Sequence, residues 1–348
     1  MRFYVQKHRY YCGIDLHARS MYLCILSKDG EIVLHRNMRA EPEPFLTAIK
    51  PYRDDIVVCV ECIFTWYWIA DLCARENIPF VLGHALYMKA IHGGKSKNDR
   101  IDSRKIAGLL RSGMIPMAYI YPAKMRATRD LLRRRNQFVR KRGDLLAHIQ
   151  NTLSQYNLPE FGKKLTSKVN FESIIDRFQD PEVKRSIAAD LELIEHYNHI
   201  ITNLERYINR VATEHDPQAL HLLKTVYGIG NILALVILYE IHDIERFPRV
   251  QDFASYARLV KCTRESAGKR HGSSNKKIGS MHLKWAFSEA AVLFLRKNPK
   301  GMAYKKRLER KHGKSKALTI LSHKLGRAVY YMLKRGKAFD MELFLREA

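Results

Sequence analysis

The 348-residue chain is short of acid. It carries 35 Asp and Glu against 61 Lys and Arg, a formal net charge of +26. With a pI near 9.9, that balance implies a polyanionic partner, most simply nucleic acid, with an anionic membrane surface as the competing partner. No apolar run reaches the roughly 18 residues of a spanning helix. There is no lipidation motif either, so no membrane association is expected. The N-terminal "MRFYVQKHRYYCG" has no apolar signal core, and a cytoplasmic location is expected. Cysteines number six, and most lie in apolar segments, as buried thiols of a reducing compartment do. Cys59 and Cys62 form a C-x-x-C, but no second pair follows at zinc-site spacing, which argues against a structural metal there. Hydrophobic residues at 46% are enough for packed cores and exclude wholesale disorder.

Within this frame the first 124 residues read as a mixed-sheet α/β domain. Residues 10–17, "MYLCILS" and "EIVLHRNM" are three strands, the latter two joined through Asp29-Gly30, a strong hairpin signal. Helical and strand patterns then alternate: a helix at "EPEPFLTAIKPY", a strand at "DIVVCVEC", a helix at "TWYWIADLCARENI", a strand at "PFVLGHA". A basic, Gly-rich loop, "HGGKSK", leads into the helix "NDRIDSRKIAGLLRSGM". The order βββαβαβα gives a sheet with helices on its faces.

From residue 125 the texture changes. Residues 124–142 carry nine basic residues and one acid, and Leu132, Val139, Leu146 and Leu153 recur every seven. A second stripe, Ile194, Tyr197, Ile201, Leu204, Ile208 and Val211, alternates spacings of three and four. Residues 125–214 therefore read as an antiparallel coiled-coil hairpin or a dimerising stalk, with a loose connection over 160–182. Residues 215–348 read as a mainly helical domain. Its "VYGIGN" reads equally as a helix-hairpin-helix turn or as a tight helix-helix turn in an apolar core, "KCTRESAGKRHGSSNKKIGS" as a basic loop, and 296–327, with twelve Lys or Arg and one Glu, as a basic helical tail.

Four of the scarce acids stand out. Asp15 and Glu61 close strand-like runs, and Asp99 and Asp102 lie one helical turn apart at a helix start. Singly each has an ordinary reading: a strand end, an edge residue, a cap, a dipole partner. Together, converging, they would repel unless divalent cations joined them, and Mg²⁺ pairs held this way serve phosphodiester chemistry. The candidate nucleic-acid contacts are Lys95, Lys97 and Arg100; Arg126, Arg133, Arg134, Arg135 and Arg140; and Arg264, Lys269, Arg270, Lys276 and Lys277. Tyr119, Tyr121 and Phe138 are candidate stacking groups. Ser266, with Arg264, Lys269 and Arg270 about it, reads on local pattern as an ordinary loop serine, and His271 and His282 as phosphate or solvent contacts, with acid/base helpers as the alternative.

"GIDLH", the Glu61 strand, "KNDRIDSRKIA", "YGIG" and "ESAGKR" together resemble the IS110/IS1111-type transposases, the DEDD recombinases, over nearly the whole chain. Two departures are mild: Tyr227 stands where the family has proline, and Ala267 intervenes between Ser266 and Gly268. The resemblance implies an RNase H/RuvC-like domain whose Asp15, Glu61, Asp99 and Asp102 bind Mg²⁺, and a C-terminal transposase domain whose Ser266 attacks DNA as a nucleophile. It also implies a structured non-coding guide RNA and a homo-oligomer, dimer or tetramer. Two other functions fit the residues: a RuvC-like structure-specific nuclease using metal-activated water, and a non-catalytic nucleic-acid scaffold.

Overall fold

A computed structural model describes residues 2–91, 98–212, 216–261, 263–273 and 278–346. The chain divides into two compact units, Met1–Ala123 and Lys124–Ala348.

The first unit is a five-stranded mixed sheet. Its strands are β1 (Tyr10–Leu16), β2 (Ser20–Ser27), β3 (Ile32–Arg39), β4 (Ile56–Glu61) and β5 (Phe80–Gly83), in the order β3-β2-β1-β4-β5. β1 and β2 run antiparallel, as do β2 and β3, whose turn holds Gly30 at φ +94°. β4 is parallel to both β1 and β5. Helices α1 (Pro42–Ile49), α2 (Tyr67–Arg75), α3 (Ala85–Ile91) and α4 (Asp99–Arg111) complete it. The α3 helix was not expected; it follows β5 directly.

Strand alternation sorts the core into two layers. Cys12, Ile14, Leu16, Val58 and Val60 pack with Phe45, Ile49, Ile69 and Cys73 of α1 and α2. Tyr11, Val57 and Cys59 face the other way, onto Ile106, Leu109 and Leu110 of α4. Cys12, Cys24, Cys59 and Cys73 are buried in these layers, and Cys62 is exposed. Burial holds the Cys12 and Cys59 thiols above their ordinary range and pushes Cys73 up to about 12. These are packing groups, as the sequence indicates.

The second unit opens with two long helices, α5 (Ala123–Gln155) and, after the single turn α6 (Phe171–Ile175), α7 (Pro181–Ala212). Their pairing is antiparallel. As α5 advances through Arg135, Arg142 and His148, its partners on α7 step back through Glu205, Asn198 and Asp190. The connection is better packed than its sequence suggests: Leu165, Ile174 and Phe178 are buried with Ile149, Leu153, Ile187 and Ile194.

The rest is helical: α8 (Pro217–Lys224), α9 (Asn231–Ile241), α10 (Val250–Tyr256), α11 (Met281–Phe294), α12 (Pro299–His312), α13 (Lys314–Arg335) and α14 (Met341–Leu345). Asp216 caps α8 by accepting from the Ala219 N–H at 2.8 Å, with Pro217 at the first turn. Every residue of α9 from Leu233 to Ile241 is buried, so this apolar helix is the centre of the second core. The expected basic loop is instead a hairpin, β6 (Thr263–Ser266) and β7 (Lys269–Ser273). Among the described residues no helix is long and apolar enough to cross a membrane.

Candidate metal centre and nucleophile

Asp15 and Glu61 lie on adjacent parallel strands. Ile14 pairs with Val60 in the register, and each carboxylate is the next residue along. Alternation places both on the face that α4 covers. Glu61 is therefore on a central strand and half-buried, not on an edge.

Helix α4 supplies the other pair, and three contacts position it, two at its start and one along its length. Asn98, not Asp99, is the cap, accepting from the Ile101 N–H at 2.8 Å. His35 of β3 donates from Nε2 to the Arg100 carbonyl at 2.9 Å, with its ring edge-on to Tyr22 of β2. Gly13 of β1 permits the closest approach: a Cβ there would lie 2.2 Å from the Ala107 nitrogen and 2.5 Å from the Ser103 oxygen. The strand carries glycine because the helix backbone occupies the side-chain space.

The result brings some of the four together. Asp15 and Asp99 join His17, with one ligand atom from each lying within 4.8 Å of the others. His17 Nε2 lies 3.6 Å from Asp15 Oδ2 and 3.5 Å from Asp99 Oδ1. Asp102 stands outside this triple, with its Oδ1 3.6 Å from Lys105 Nζ. Glu61 is on the same face but also outside the triple. Two carboxylates and an imidazole form a donor set that fits a divalent cation. His17 escapes sequence reasoning, although one signal was available: it lies two residues beyond Asp15 in "GIDLH".

Ser266 belongs to the second unit, at the end of β6. It is exposed and pairs with Lys269 across a two-residue turn. That turn is Ala267-Gly268, with φ +51° and +73°. Two left-handed residues in succession are what a tight hairpin turn demands, and they project Ser266 at its tip. Gly228 of "YGIG" has φ +87°, and its missing Cβ would meet the Phe294 nitrogen at 2.4 Å. That glycine serves close packing, and Tyr227 donates its hydroxyl to the Lys297 carbonyl at 3.2 Å.

The arginines of α5 divide by environment. Arg126 is buried. Arg135 donates from Nε to Glu205 at 2.8 Å. Arg133 donates from Nε and Nη2 to Glu240, at 2.6 and 2.9 Å. Glu240 is only 2% exposed and also accepts from Ser280 Oγ at 3.0 Å. Burial pushes its carboxyl up, but the Arg133 hydrogen bonds and charge, with His282 and Arg129, hold it below its ordinary value. Sequence reasoning passed over Glu240, the single charged residue of an apolar helix. Arg134 and Arg140 are exposed, Arg134 lying over the half-buried Phe138 ring at 4.8 Å. Arg100 and Lys269 are also exposed; Tyr121 is buried, edge-on to the half-buried Tyr119. Lys95, Lys97, Lys276, Lys277 and the side chains of Arg264, Arg270 and His271 lie outside the described residues.

Carboxylates at the C-terminal ends of adjacent parallel strands, in a strongly basic chain, fit a class of protein that acts on a polyanion such as nucleic acid. The comparisons narrow that class. The family model of the IS110-type DEDD transposases matches residues 12–158. The model of the IS116/IS110/IS902 family transposases matches 220–306. A transposase for insertion sequence element IS1111A from Coxiella burnetii is 21% identical over 94% of this chain and 90% of its own length. An IS110 insertion-element protein of 43.6 kDa from Streptomyces coelicolor is 28% identical over 40% of this chain and 34% of its own. The chain belongs to the IS110/IS1111-type transposases, a family of enzymes that cut and rejoin DNA.

Proposed function

We propose that the protein is the transposase of an insertion sequence, cutting and rejoining DNA through Ser266 with a metal-binding carboxylate site. The observation that carries this reading is the shared face of Asp15, Glu61 and the start of α4, closed by the Gly13 contact. In this reading the first unit is a RuvC-like domain, and the order β3-β2-β1-β4-β5 with β2 antiparallel supports it. The α5–α7 pair is a coiled-coil hairpin over 125–214, and 215–348 the domain that presents Ser266.

The side chains proposed to hold Mg²⁺ are Asp15, Glu61, Asp99 and Asp102, with His17 adjoining. Bound there, the ion would lower the pKa of a nucleophile and stabilise negative charge on the phosphate. Ser266 supplies the nucleophile: its Oγ–phosphorus bond forms as one backbone P–O bond breaks. The serine proton passes to solvent, and the departing sugar oxygen takes one up. Lys269, paired with Ser266 across the hairpin, would offset phosphate charge in this reading. The positive surplus supports binding of DNA ends and target, and of a structured guide RNA, by a homo-oligomer.

Ser266→Ala is the deciding variant. It should abolish any protein–DNA covalent adduct trapped by denaturing electrophoresis while leaving DNA binding intact. An undiminished adduct removes Ser266 from the chemistry. Cleavage with no adduct in the wild type favours metal-activated water instead.

A further inference from the structure

A cleft of about 390 Å³ opens in the second unit where α5 meets the start of α11. Arg133, Arg134, Asn136, Gln137 and Arg140 of α5 and His282 of α11 line it, with Asp130 the one acid. We propose that this cleft is a built receptor for one backbone phosphate of a bound nucleic acid, with Arg133 as its positioned anchor. This deepens the polyanion-binding part of the proposed function and rests on it.

The geometry argues for a site over a generally basic surface. Arg133, Gln137 and Arg140 fall at spacings of four and three, one face of the helix. Arg133 and Arg140 are two turns apart, about 10 Å along the axis. Surface arginines usually wander, but the Arg133 fork is fixed from below. Glu240 takes two of its hydrogen bonds, and Ser280 fixes Glu240. A guanidinium held on one edge while half-exposed is pre-organised toward an incoming oxyanion. Arg134, braced on Phe138, and Arg140 add unburied charge on the same wall. Arg129 is grouped with Arg133, Glu240 and His282 at the adjoining contact of α5, α9 and α11. Counting it, four arginines stand against Asp130 and Glu240, so the cleft keeps a surplus of positive charge that an anion would neutralise.

His282 adds a second signature. Its Nδ1 is buried and has no hydrogen-bond partner among the described residues. Burial lowers its pKa; Glu240 of α9 opposes this, while Arg133, Arg140 and Arg129 of α5 lower it further. Burial and the arginines thus favour the neutral ring in the free protein. A phosphate arriving among those arginines reverses the local field and favours the imidazolium. Binding then takes up a proton and tightens as pH falls, by at most about tenfold per pH unit for one linked proton.

The test uses the full chain with two labelled probes, a short single-stranded RNA and a short DNA duplex. Fluorescence anisotropy is followed across salt, at pH above and below the ordinary histidine value of about 6.5. Arg140→Gln should lower the slope of log affinity on log salt by about 0.7 for the RNA or about 0.9 for the duplex, one phosphate contact. His282→Gln should remove the low-pH tightening on the same probe, and that probe identifies the source of the phosphate. Lys306→Gln on α12, an exposed residue outside the cleft, is the control for charge alone. Wild-type slopes and pH dependence in both cleft variants overturn the receptor while leaving nucleic-acid binding standing. A slope loss no larger than that of Lys306→Gln, with no His282 effect, makes the wall an ordinary basic face and overturns it too. If His282→Gln does not fold, the Arg140 slope measured against the Lys306 slope decides. Absence of wild-type binding to either probe brings down the polyanion reading itself.

Discussion

Substituting Gly13 by alanine puts the link between packing and site to its sharpest test. The added Cβ would sit 2.2 Å from the Ala107 nitrogen, 2.5 Å from the Ser103 oxygen and 2.8 Å from the Ala107 Cα. Ordinary contact begins at 3.4 Å, so strand and helix must separate by about 1 Å; all three obstacles are backbone, and no side chain can swing aside. Overpacking of this kind costs about 1–3 kcal/mol, and a rigid backbone clash belongs at the upper end. At a few degrees per kcal/mol, the melting temperature should fall by about 10 °C. The displacement would carry Asp99 and Asp102 away from Asp15 and His17. A misplacement of about 1 Å at a reacting centre can cost about 100-fold in rate.

Gly108→Ala, on the same helix, provides the control. A Cβ there meets nothing within 4 Å, and alanine in a helix interior is worth about 1 kcal/mol over glycine. The two glycine-to-alanine changes should move the melting point in opposite directions. Calorimetric titration with Mn²⁺ and a strand-cleavage assay give the functional readouts. If Gly13→Ala melts and binds metal like the wild type, the Gly13 contact does not set the site.

Ala267→Gly should stabilise the β6–β7 hairpin by about 0.5–1 kcal/mol. Relief of the left-handed penalty, about 1–2 kcal/mol, outweighs the added chain entropy of about 0.4–1 kcal/mol; unchanged amide exchange at Lys269 would count against it. Glu240→Gln should cost about 2 kcal/mol at neutral pH, reduced from a fully buried pair because Arg133 is half-exposed. Because the Glu240 carboxyl is held below its ordinary value, its stabilisation is present at neutral pH and lost as pH falls through about 4.3 and below. Urea midpoints of variant and wild type should therefore converge in acid, and a constant gap would contradict the pair's role. His17→Ala should weaken Mn²⁺ binding more than Mg²⁺ binding, because imidazole suits the transition ion better. Electron paramagnetic resonance of free Mn²⁺ reads the first and calorimetry the second; equal losses would take His17 out of the donor set.

How much of this was legible in the chain depended on whether the reason for a residue was local. Strands β1, β2, β4 and β5 follow short apolar runs that the fold buries almost throughout, and the β2–β3 turn follows Asp29-Gly30. Asp15 and Glu61 were legible because a carboxylate closing an apolar strand breaks that pattern at a visible place. Gly13 was not, because its reason is Ala107, over ninety residues away in sequence, and no window along the chain holds both. The β6–β7 hairpin was missed for a different reason: its turn uses Ala267, which pays a left-handed penalty, where turn chemistry would lead one to expect Asn or Gly. Arginines posed the hardest problem. Arg126, Arg133, Arg135 and Arg140 sit in one basic run, and sequence treats them alike. Tertiary environments separate them: Arg126 is buried, Arg135 goes to Glu205, Arg133 to Glu240, and Arg140 is left at the surface. A basic helix thus reports its charge to any reader of the sequence, but which of its charges face a ligand is decided by acids on other helices. Glu240 shows why: a lone acid in an apolar helix cannot be buried without a partner, and searching for that partner is the step that leads from α9 to Arg133 and to the cleft above it.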